Sequence, residues 1–143
     1  MSKINFFIEG NPPKIKFSKA SFRTVATAIF KDHSKTLDYV NIIFCDDEYI
    51  LEVNKTHLDH DFYTDIITFD YDEDEIQSDI YISTERVLDN ASKEKTDPSN
   101  ELYRVMIHGC VHLCGFGDKT TKEVKVMRGK EEEYLREVKK LGG

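Results

Sequence analysis

Apolar residues fall along this chain in short runs and in stripes of helical period, and their order sketches an architecture. Residues 4–8 form an apolar run closed by Gly10, Pro12 and Pro13, the mark of an edge strand. Over residues 19–34, Phe22, Val25, Ala26, Ile29 and Phe30 return on one helical face, and Ser18 stands where an N-cap hydroxyl belongs. Residues 40–45 are rich in β-branched side chains and read as a second strand. Asp46 and Asp47 then open a shorter helix with Ile50, Leu51 and Val53 on its inner side, acids in a first turn complementing the helix dipole. Residues 58–63 are polar, aromatic and irregular, the pattern of a loop.

Residues 66–71 and 79–82 read as third and fourth strands, and the acidic stretch 72–78 between them as an exposed turn. Ser83 caps a third helix running towards Lys93. Asp97-Pro98 starts a fourth, with a capping carboxylate followed by Pro at the first helical position. That helix carries Leu102, Val105, Met106, Cys110, Val111 and Leu113 and should stop at Gly115. Thr120 and Glu123 have capping-box spacing for a last helix with Val124, Met127, Tyr134, Leu135 and Val138 on its apolar side. The acids 131–133 on it read as a solvated face. The order β-α-β-α-β-β-α-α-α predicts an α+β fold: a four-stranded mixed sheet with helices mainly on one face.

Composition narrows the class. With 143 residues, 39% hydrophobic and 33% charged, the chain suits one globular domain over 1–143. No run approaches the roughly 18 apolar residues of a membrane span, and residues 1–6 lack the apolar core of a signal peptide, so a cytoplasmic protein with no membrane partner is expected. Cys45, Cys110 and Cys114 lack CxxC spacing and read as small buried hydrophobes. The formal charge of −7 opposes nonspecific nucleic-acid binding, yet basic residues cluster at Lys14, Lys16, Lys19 and Arg23 and again at Lys119, Lys122, Lys125, Arg128 and Lys130. A basic groove on an acidic protein and charge merely scattered over solvated faces both fit.

The chemistry concentrates in His108-Gly-Cys-Val-His112-Leu-Cys-Gly115-Phe-Gly117-Asp118. Histidines at i and i+4 share a helix face, with Cβ atoms about 5–6 Å apart. That lets both imidazoles reach one ion, and the glycines allow the chain to fold Asp118 back as a third ligand. Three protein ligands leave zinc an open position, as in catalytic sites. The competing reading is a pair of hydrogen-bonded interior histidines near a helix end. A zincin peptidase is disfavoured, since Gly109 stands where HExxH has its general base.

These motifs resemble the YbeY family of bacterial rRNA-maturation endoribonucleases, whose signature reads His-Gly-x-x-His-Leu-x-Gly-Tyr-Asp-His. His108, Gly109, His112, Leu113 and Gly115 match it, with Phe116 for Tyr. Asn54, Asp61 and Thr64-Asp65-Ile66-Ile67-Thr68-Phe69 resemble a second family block, Thr-Asp-Val-Leu-Ser-Phe, and Asp79-Ile80 falls where the family has a Gly-Asp-Ile strand. The resemblance spans roughly residues 40–135. Family members usually end the metal motif with a third His where this chain has Asp118, a competent zinc ligand though a harder one. They commonly carry an Arg, thought to serve catalysis, where this chain has Leu58.

The resemblance implies a hydrolase, a metal-dependent endoribonuclease specific for single-stranded RNA, acting in 16S rRNA 3′-end maturation and ribosome quality control. Its partners would be single-stranded rRNA and the small ribosomal subunit. One Zn²⁺ per chain would sit at the end of the fourth helix on His108, His112 and Asp118, and the attacking group would be metal-bound water or the RNA's own 2′-hydroxyl. Arg104, one turn before His108 on the same face, is the candidate catalytic contact to a phosphate, a structural Arg being the alternative. Asp65 reads as a brace of the loop, the alternative being to orient a ligand; His57 and His60 read as solvated loop histidines, the alternative being RNA contacts; Lys119 and Lys122 sit beside the metal loop as attractors of phosphate. The rival function is a non-catalytic ribosome-assembly factor with a structural metal. A metallohydrolase of a small substrate also fits the triad.

Overall fold

The structure is a computed structural model, and it describes residues 3–58 and 64–143, without the side chain of Leu58. His60 and Asp61, with most of the loop read over residues 58–63, lie outside the described residues. Nine elements follow in the expected order: β1 (Ile4–Ile8), α1 (Lys19–Asp32), β2 (Thr36–Cys45), α2 (Asp47–Leu58), β3 (Ile66–Asp70), β4 (Glu75–Ser83), α3 (Thr84–Glu94), α4 (Pro98–Leu113) and α5 (Thr121–Lys140). The strands form one mixed sheet in the order β1-β2-β4-β3, with β1 an edge strand. β2 runs parallel to both β1 and β4, and β3 is antiparallel to β4. Among the described residues no helix is long and apolar enough to cross a membrane.

The period of two along the central strands sorts their side chains to the two faces. Val40, Ile42 and Phe44 of β2 and Ile76, Ile80 and Ile82 of β4 join Phe22, Ile29, Met106, Cys110, Met127 and Tyr134 in the larger core, beneath α1, α4 and α5. On the opposite face α2 covers one end only, where Ile50 and Val53 pack with Cys45 and Ile67. Helices mainly on one face is therefore the arrangement found. Cys45 and Cys110 are buried, Cys114 is half-buried, and all three are free thiols. Burial pushes the Cys45 thiol up to about 12 and that of Cys114 to about 11, so both behave as apolar groups.

The caps that local chemistry dictates are in place. The side chains of Ser18, Ser83 and Asp97 accept from backbone N–H groups of the first turns of α1, α3 and α4. Thr120 and Glu123 form the reciprocal capping box of α5. Non-local pairing, in contrast, moves several boundaries. β2 begins at Thr36, because Thr36 and Leu37 pair with Glu75 and Ile76 of β4. Residues 75–78, expected in the exposed turn, belong to β4: Ile76 and Ser78 alternate into the interior, leaving only the acids around Asp72 to turn.

Candidate functional site

The site lies where α4 crosses the sheet beside β3. Gly109 permits the close approach: a Cβ there would stand 3.0 Å from Ile66 Cδ1 and 3.1 Å from Ile80 Cδ1. α4 then ends at Cys114, and Gly115 takes φ +101°, a left-handed conformation that suits glycine and reverses the chain. The result is a polar pocket of about 390 Å³ between α4, β3 and the loop after α4. It is lined by Thr64, Asp65, Ile66, Thr68, Arg104, Val105, His108, His112 and Asp118. The three expected ligands and Arg104 thus share one pocket.

Each histidine has its Nδ1 engaged away from the pocket's centre. His108 Nδ1 donates to Glu131 Oε2 at 2.7 Å, and His112 Nδ1 donates to the Phe116 carbonyl at 3.1 Å. Both partners only accept, so each Nδ1 carries hydrogen and the lone pair of the neutral ring is left on Nε2. Phe116 is held by a T-shaped contact with His33, the C-cap of α1, at 5.1 Å and by the Lys130 ammonium 5.4 Å above its ring. His108 Nε2 lies 3.3 Å from Asp118 Oδ2, which is long for a hydrogen bond. Two donors on one tetrahedral zinc, with bonds near 2.0–2.1 Å, are separated by about 3.3 Å. Among the described residues no three His, Cys, Asp or Glu side chains are already gathered tightly enough to hold an ion. The donor set nonetheless fits one in chemistry: two imidazoles whose Nδ1 atoms are engaged elsewhere and a half-exposed carboxylate line the same space.

Behind His108 lies a buried charged cluster that overturns one expectation. Glu131 does not belong to a solvated acidic face: it is 2% exposed and sits inside the α4–α5 contact. Its Oε1 accepts from Arg104 Nη1 at 3.0 Å, and Arg104 also donates from Nε at 2.9 Å and from Nη2 to the equally buried Glu101. The signal was in the stripe. Glu131 follows Met127 by four residues and precedes Tyr134 by three, so it shares their inward face. Arg104 therefore lines the pocket with its charge already answered by two carboxylates.

The electrostatics follow. Burial opposes ionisation of Glu131, but the hydrogen bond from His108 and the Arg104 charge prevail and hold its pKa below the ordinary value. Burial likewise disfavours the His108 imidazolium, yet Glu131, Asp118 and Asp65 together raise its pKa. Desolvation raises that of Asp65, partly offset by Arg104 and His108, and its carboxylate accepts from Asn90 at 3.3 Å. His57, read as a loop residue, lies instead in the last turn of α2, its ring at a T-shaped angle to Phe69, and Lys119 and Lys122 are exposed beside the loop after α4.

Residues 8–139 match the profile of the family described as endoribonuclease YbeY, a longer stretch than the two motifs span. The endoribonuclease YbeY of Cytophaga hutchinsonii is 46% identical over 134 residues, 92% of this chain and 93% of that protein. That of Christiangramia forsetii is 45% identical over 134 residues, covering 93% and 92%. A Thermotoga maritima protein solved in solution superposes with a TM-score of 0.66 at 28% identity, over 94% of this chain and 88% of that one. The chain belongs to the YbeY endoribonuclease family.

Proposed function

We propose that the chain is a zinc-dependent endoribonuclease that cuts single-stranded RNA in the cytoplasm, acting on the 3′ end of 16S rRNA on the small ribosomal subunit and in ribosome quality control. The observation that carries this reading is the pair of α4 histidines with both Nδ1 atoms engaged elsewhere and both rings lining a pocket shared with Asp118. His108, His112 and Asp118 would hold one Zn²⁺ per chain. When bound, zinc supplies Lewis acidity toward a phosphoryl oxygen and eases deprotonation of water near neutral pH.

The protein's own groups do the rest. Thr64 and Thr68 offer hydroxyls along the β3 wall of the pocket, where a ribose or phosphate oxygen could be bound. Arg104, anchored by Glu101 and Glu131, presents a guanidinium fixed in place, suited to orienting a phosphate rather than to neutralising it fully. Exposed Lys119 and Lys122 raise the local concentration of polyanion.

The rival reading, an assembly factor with a structural metal, draws on that same engagement of Arg104. Purified chain should cleave a single-stranded RNA, and His112→Ala should abolish cleavage while circular dichroism and melting remain those of wild type. Wild-type protein that carries zinc by elemental analysis yet cuts no RNA would decide for the rival.

A further inference from the structure

We infer that Glu131 is the positioning residue of this site: its buried carboxylate fixes His108 in the tautomer and orientation that turn Nε2 to the pocket, and the same carboxylate pins Arg104 to the pocket wall. The inference deepens the proposed function and rests on it for the identity of His108 as a ligand. The geometry carries it. The two oxygens of Glu131 are divided between the two groups, Oε2 taking His108 Nδ1 at 2.7 Å and Oε1 taking Arg104 Nη1 at 3.0 Å.

A carboxylate is costly to bury, and the apolar stripe of α5 would accept a Leu or Met at this position more readily. Were pairing with Arg104 the sole purpose, Glu101 would already serve, since it takes two of the Arg104 donors by itself. Glu131 is itself balanced in charge, its Oε1 also meeting the exposed Arg128 Nη1 at 3.6 Å, so the cluster adds no net charge behind the site. Its remaining oxygen goes to the one imidazole whose other nitrogen approaches Asp118. A carboxylate behind a histidine ligand fixes the ring and raises its basicity, and losing such a partner typically costs about 10–100-fold in metal affinity.

The test uses the full-length chain with two readouts. Nitrogen NMR of the metal-free protein at alkaline pH, where the rings are neutral, reports which nitrogen of His108 carries hydrogen. Zinc competition titration reports affinity. Wild type should show Nδ1–H, and Glu131→Gln, which keeps an accepting oxygen, should retain that tautomer with a smaller loss of affinity. Glu131→Leu leaves Arg104 paired with Glu101 through two of its donors, so it is the decisive variant. It should release His108 to the Nε2–H form and bind zinc about 10–100-fold more weakly. Wild-type affinity in Glu131→Leu, or Nε2–H in the wild-type chain, overturns the inference and reduces Glu131 to a tether between α4 and α5. Failure of the proposed function reads differently: a wild-type chain that takes up no zinc, in which the tautomer of His108 still decides the role of Glu131.

Discussion

The site has two halves built on different physics. The His108 half is helical and dry: the ring is 20% exposed, and its support, Glu131, sits on α5 with Met127 and Tyr134 packed around it. The half formed by His112 and Asp118 belongs to the exit from α4. His112 is exposed and leans on a backbone carbonyl, and Asp118 is 49% exposed in the loop after Gly115. The first half is fixed by burial and by a side chain far away in sequence. The second is fixed by a turn, one aromatic anchor and the cap of the next helix. Equal membership in the pocket thus conceals unequal dependence on the fold, and substitutions should expose it.

The largest contrast concerns Asp118. Asp118→Ala should lower zinc affinity by more than the about 10–100-fold expected for loss of a supporting group, because a ligand itself is removed. Asp118→His should stay close to wild type and keep RNA cleavage, since the turn rather than the ligand's own chemistry sets its approach. Equal affinities for wild type and Ala would remove Asp118 from the site and leave the loop half with His112 alone.

Next comes stability. His108→Ala strips Glu131 of one partner in a buried place and should cost about 1–3 kcal/mol in urea denaturation. His112→Ala, at an exposed position, should stay within about 0.5 kcal/mol of wild type. Equal costs for the two would erase the division into a dry and a wet half.

The smallest effects lie at the anchor of the loop half. Thr120→Ala removes the hydroxyl that accepts from Glu123 N at 3.1 Å and should cost about 1 kcal/mol of stability. The reciprocal Glu123 carboxylate accepts from the backbone N–H of Thr120 and of Lys119, and these bonds hold its pKa below the ordinary 4.5. The sign follows from a depressed carboxylate: its contribution is whole above 4.5 and vanishes as the pH falls through the lower folded value. The stability difference between wild type and Glu123→Ala should therefore be flat at neutral pH and close only in acid. A difference that grew on acidification would contradict the capping box.

What could be read from sequence divides along the same line. Caps and turns are local, so Ser18, Ser83, Asp97-Pro98, Thr120 and Gly115 were legible from a few neighbouring residues each. The histidine spacing on α4 was legible for the same reason. Glu131 was not, because an acid flanked by Glu132 and Glu133 looks like a solvated run unless its phase against Met127 and Tyr134 is weighed more heavily than its company. The start of β4 was hidden as well. Glu75 and Gln77 look like turn residues until β2 is there to pair with them across the sheet.

Gly109 has a consequence for descent. The spacing of the two histidines is that of zinc peptidases, and on paper a lineage is one codon away from acquiring their general base. Here that route is resisted by volume, for even a methyl group at 109 would press on the ends of Ile66 and Ile80, which must give by a few tenths of an ångström before any longer side chain is fitted. Two hydrolytic trades can share a histidine spacing and still be held apart by the packing beneath the helix rather than by the histidines themselves.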